Sequence, residues 1–81
     1  MSSRLRYQTW GVAGTRTGYV YRSADRTLER SVACGLAYQL GRGRVLELAP
    51  DGWSLGRPRW RVRLGTPSGR PRGWAHFVVL P

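Results

Sequence analysis

Arg57-Pro58-Arg59-Trp60-Arg61-Val62-Arg63-Leu64 is the stretch from which the rest of the chain is read. Every second residue is arginine and those between are apolar, the period of two expected of a β-strand with one buried and one wet face. On such a strand Trp60, Val62 and Leu64 enter a core, and Arg57, Arg59, Arg61 and Arg63 share the other side. Side chains two apart on one strand face stand about 6.6 Å from each other, close to two base-pair rises of ~3.4 Å along a duplex strand. The face therefore suits a polyanion.

Strand patterns continue outward. Arg44 to Ala49 precedes the stretch, with Pro50-Asp51-Gly52 read as the intervening turn, and Arg72 to Leu80 follows it after a Gly65-Thr66-Pro67-Ser68-Gly69 turn. Near the start, Arg4 to Trp10 alternates polar and apolar residues and Thr17 to Arg22 is rich in strand formers, with residues 11–16 as a hairpin loop. Between these groups the period changes. Leu28, Val32, Leu36 and Leu40 fall four apart with Ala33 and Ala37 beside them, one apolar stripe of a helix over residues 25–40. Leu28, Val32 and Leu36 are expected to pack on the sheet. Ser23 or Asp25 would cap the helix, Asp25 and Glu29 suit its N-terminal dipole, and Gly41 suits its left-handed exit. Gly35 opposes it, costing about 1 kcal/mol in mid-helix.

The expected fold is mainly β: a small barrel or strongly bent sheet of about five strands with one helical insertion, in the order β-β-α-β-β-β. Closure is favoured because it removes exposed edges. At 81 residues the chain builds one core, so residues 1–81 form a single domain.

Fourteen arginines, no lysine and only Asp25, Glu29, Glu47 and Asp51 leave a net charge of +10. A GC-rich coding sequence would explain arginine over lysine but not the scarcity of acids. The implied partner is nucleic acid, DNA or RNA, or an acidic protein. Arg42, Arg44, Arg70 and Arg72 flank the alternating stretch and could widen its patch, while Arg4, Arg6 and Arg16 form a second candidate surface. Cys34 is alone, which rules out an internal disulfide; it is expected to be a small buried thiol in a reduced, cytoplasmic setting. The charged N-terminus leads into no apolar run, and nothing approaches the roughly 18 to 20 apolar residues of a membrane-spanning helix, so neither secretion nor a membrane partner is expected.

Enzyme chemistry is not expected. The four acids do not form an evident catalytic pair, one His and one Cys fall short of a zinc site, and Gly41-Arg42-Gly43 lacks the rest of a phosphate loop, so no cofactor is expected. His76 is read as a partly buried histidine held by a hydrogen bond. Trp53, Trp60 and Trp74 are read as core or barrel-mouth residues, and Trp10, beside a glycine-rich loop, as the exposed one.

Leu40-x-x-Gly43-x-x-Leu46-Glu47-Leu48, Trp60-Arg61-Val62-Arg63-Leu64, and Gly69-Arg70 before Gly73-Trp74-Ala75-His76 and Leu80 resemble the pattern of the bacterial Src-homology-3-like domains. Tyr19 to Ser23 is similar to that family's opening strand, so the resemblance spans residues 19–80. It implies a small barrel and, by analogy, a peptide or cell-wall ligand. Two departures stand out: Ala24-Asp25 replaces a Gly-Pro, and Arg59 stands where the family has a tryptophan of its peptide groove.

The function expected from these readings is non-catalytic binding of nucleic acid, with arginines on phosphates and an exposed aromatic such as Trp10 on a base. The alternative is an interaction module or small phage- or plasmid-type inhibitor docking on an acidic protein. A homodimer burying an edge or an aromatic patch is also expected. Replacing Arg59 and Arg61 by Gln should weaken binding while hardly changing folding.

Overall fold

In a computed structural model of the chain, which describes residues 4–11, 14–21, 27–41 and 43–80, the alternating stretch is the fourth strand of a five-stranded antiparallel sheet. The elements are β1 (Arg4–Gly11), β2 (Arg16–Tyr21), α1 (Leu28–Gln39), β3 (Arg44–Ser54), β4 (Arg57–Gly65) and β5 (Pro71–Leu80). This is the expected β-β-α-β-β-β order. Across the sheet they stand β2-β1-β5-β4-β3, so the last strand lies at the centre and the strands flanking the helix form the two edges.

The central position of β5 explains its continuous apolar run. Phe77 and Val78, neighbours in sequence that face opposite sides, are both fully buried. One face packs on α1: Val32, Ala33, Leu36 and Ala37 meet Tyr7, Val62, Leu64, Ala75 and Phe77, with Leu40, Val20 and Trp60 partly buried at the rim. The helical stripe is thus as expected, except that Leu28 is only half-buried. Burying one leucine of this kind contributes about 1.5–3 kcal/mol. Opposite Tyr7, Gly18 is required by packing, because a Cβ there would fall on the Tyr7 phenol.

The helix begins after Thr27, whose extended backbone occupies the N-cap position without a side-chain cap bond. Ser23 and Asp25, the expected caps, lie outside the described residues. At the other end Leu40 N–H donates to the Leu36 carbonyl (2.9 Å) and Gly41 leaves at φ +65°, the left-handed exit that glycine permits.

Three expectations are corrected. The sheet is not closed into a barrel: among the described residues β2 and β3 are unpaired with each other. The physical reason is the helix, which carries the chain from one edge to the other across a sheet face and so keeps those edges apart. Pro50-Asp51-Gly52 is not a turn but part of β3, where the register shifts between Pro50 and Trp53. A proline is tolerated because β3 is an edge strand, and Gly52, at φ +80°, forms the irregularity. Cys34 is exposed rather than buried, since the packed stripe passes through Val32, Ala33 and Leu36 and leaves position 34 outside it.

The actual turn lies further along. Ser54 pairs with Arg57, leaving Leu55 and Gly56 as the connection, at φ +54° and +72°. Positive φ at both positions is the hairpin geometry that Asn-Gly favours. A leucine there is strained, by about 1–2 kcal/mol.

Candidate nucleic-acid interface

Strand alternation divides the side chains of the sheet cleanly. Tyr7, Thr9, Phe77, Val62 and Leu64 point to the helix, so their neighbours point to the other side, which α1 does not cover. The register aligns those neighbours in cross-strand rows. Arg61 stands opposite His76, and His76 opposite Trp10. Arg63 stands opposite Trp74 on one side and Glu47 on the other. Further along, Arg6 is flanked by Leu80 and Tyr19.

The surface that sequence periodicity assigns to Arg57, Arg59, Arg61 and Arg63 therefore exists, but the four are not equivalent. Arg59 Nε donates to the Asp51 carbonyl at 2.6 Å, and its guanidinium lies 4.0 Å from the Asp51 carboxylate. Arg61 pairs with Glu47 at 2.9 Å. Arg57 leans to the end of the sheet, where with Leu28, Glu29, Pro58 and Trp60 it lines a hollow beside the helix start. Arg63 has no acid within ion-pair distance among the described residues.

The expectation that Arg59 can be replaced with hardly any change in folding does not fit its bond to the Asp51 backbone, whereas Arg61, in an exposed ion pair, keeps its place beside Arg63 on the expected arginine face. Arg59 is a structural clamp on the bulge of β3.

Asp51 is the centre of that clamp. Its carboxylate also accepts a 2.8 Å hydrogen bond from His76 Nε2, joining β3 to β5 across β4. The Asp51 carboxyl is held below its ordinary value of 3.8, chiefly by this bond; desolvation opposes the shift, and the charges of Arg59, His76 and Arg61 reinforce it. His76 is the partly buried, hydrogen-bonded histidine expected from the sequence. Its ring lies offset over Trp10 (centroids 6.3 Å apart) and edge-on to Trp74 (5.0 Å), so the three rings form one row.

Exposure among the tryptophans differs from expectation. Trp74 is 49% and Trp53 71% exposed, whereas Trp10, expected to be the exposed one, is partly buried. Trp74 sits on the uncovered face, and Trp53 lies beyond the reach of the helix near the hairpin tip, so neither is core. Trp60 is partly buried, as read.

Among the other arginines, Arg44, Arg70 and Arg72 are exposed around the β4–β5 turn, with the Arg44 guanidinium close to Gly69. They extend the end of the face that holds Arg63. Arg42 lies outside the described residues. Arg4 and Arg6 belong to the same face as Arg63, Arg4 resting 4.2 Å above the Tyr19 ring. Arg16 pairs with Thr9 and so alternates away from that face. The two candidate surfaces of the sequence are largely one surface.

Among the described residues no cluster of three or more His, Cys, Asp or Glu side chains could hold a metal, and no helix is long and apolar enough to cross a membrane. No protein-family model, curated protein or solved structure matches the chain.

Proposed function

We propose that the helix-free face of the sheet binds nucleic acid without catalysing a reaction on it. The observation that carries this reading is the cross-strand pair of Arg63 and Trp74: an arginine without an acidic partner among the described residues beside a half-exposed indole. Such a pair offers a cation to a phosphate and a flat ring to a base, the combination on which sequence-tolerant strand binding rests. Arg44, Arg70 and Arg72 at one end and Arg4 and Arg6 at the other lengthen the basic track, and a net charge of +10 draws a polyanion from a distance.

The test is fluorescence anisotropy of labelled single strands and duplexes over a range of salt. The variant Arg6→Gln/Arg63→Gln should weaken binding similarly for different sequences. It should also flatten the slope of log K against log salt, by about 0.7 on a single strand or about 0.9 on a duplex for each phosphate no longer neutralised. Absence of binding at low salt would overturn the proposal. In that case an acidic protein captured by the native chain and not by the same variant would become the better reading.

A further inference from the structure

We infer that the depression between β1 and the β3–β4 hairpin tip is a pocket for one unpaired nucleobase, which makes the preferred ligand a single strand; the inference rests on the nucleic-acid reading of this face. Gln8, Trp10, Ser54 and Leu55 line this depression, whose volume is about 280 Å³. That is near the lower limit of ligand pockets, roughly 300 Å³, and suits one flat ring system better than a peptide segment.

The lining matches a base in kind. A nucleobase has apolar faces and polar edges, and the site offers the Trp10 ring and Leu55 side chain for the faces. The Gln8 amide, with both donor and acceptor capacity, and the Ser54 hydroxyl are available to the edges.

Leu55 supplies a second, independent observation. It holds φ +54° at a turn position that Asn, Asp or Gly would occupy with less strain, and it is 63% exposed, so the core gains little from it. Strain kept at an exposed position is characteristic of binding sites.

The pocket is also continuous with the proposed track. Trp10 is one end of the ring row that passes through His76 to Trp74, and Arg61 and Arg63 stand opposite the last two rings. A strand with one base on Trp74 and its phosphates beside Arg63 and Arg61 would bring a neighbouring base toward Trp10. A base held in a duplex has its edge occupied and its faces stacked, and cannot enter.

The experiment compares labelled oligothymidylate with an abasic strand of equal length, using the native chain, Leu55→Asn and Gln8→Ala. Leu55→Asn creates the favoured Asn-Gly turn, so folding should be retained and Tm should not fall. It is expected to weaken oligothymidylate binding about five- to tenfold, within the range for removing one stacked base. Binding of the abasic strand and the salt slope should not change. Gln8→Ala should alter the relative affinities for homopolymers of different bases. Equal native binding of the abasic strand and oligothymidylate would exclude the pocket while leaving the phosphate track standing. Variants indistinguishable from the native chain on every strand would also exclude it, and failure of the native chain to bind any strand at low salt would remove both readings.

Discussion

The two faces of β4 are held in different ways. On one, Val62 and Leu64 are packed against Val32, Ala33 and Leu36 of the helix, a cohesion that comes from the area removed from water and depends little on direction. On the other, Arg59 and His76 converge on the single residue Asp51, which arrives from an edge strand through a bulge. The first arrangement follows from an alternating pattern that any apolar residues of suitable size would satisfy. The second depends on particular donors meeting a particular acceptor. The helix side therefore holds most of the core, whereas the other side, apart from the buried Val78 and Leu80 of β5, presents a polar surface.

The most damaging test of this contrast is Leu36→Ala. Leu36 is fully buried between helix and sheet, and its truncation should lower unfolding free energy by about 2–5 kcal/mol in urea titration. A change within experimental error would mean that the helix is not the principal cover of the sheet.

Asp51→Ala should have a smaller effect, localised to the other face. Hydrogen exchange should quicken at the β3–β4 tip while the amides of α1 keep their protection. If instead this variant destabilises as much as Leu36→Ala, the polar face carries as much of the fold as the core does. A pH series sharpens the same point. Because the folded Asp51 carboxyl titrates below its ordinary value of 3.8, the stability it contributes is present above that value and is lost as pH falls through the lowered folded value. Acidification below about pH 4 should therefore destabilise the native chain more steeply than Asp51→Ala.

The smallest expected change has the opposite sign. Gly35 lies inside the helix with open space where a Cβ would stand, so Gly35→Ala should stabilise by up to about 1 kcal/mol without affecting the proposed nucleic-acid binding. A stabilisation seen together with altered binding would link the helix to the surface on the far side of the sheet, against a division of roles between the two faces.

Particular residues mark how much was legible in the sequence. The alternation around Val62 and the fourfold spacing of Val32 and Leu36 carried the element types, their order and most of the core, because burial imposes those periods directly on a sequence. The arginine face of β4 was legible for the same reason. The roles within it were not: nothing in the spacing tells that Arg59 is engaged by Asp51 while Arg63 stays without an acidic partner among the described residues. Trp74 and His76 also alternate in β5, a signal that could have placed them beside Arg63 and Arg61 had the strand pairing been known.

By itself, then, the sequence determined a basic chain of five strands and a helix, with an apolar side and an arginine side to β4. Only the tertiary structure decided that the sheet stays open, that Pro50-Asp51-Gly52 bends an edge strand instead of turning it, and that Arg4, Arg6, Arg63, Trp10 and Trp74 share one surface. The reason is physical. A residue's periodicity reports which side it faces within its own element, whereas strand order and register, which bring distant residues into one row, arise from how all the elements bury their faces together.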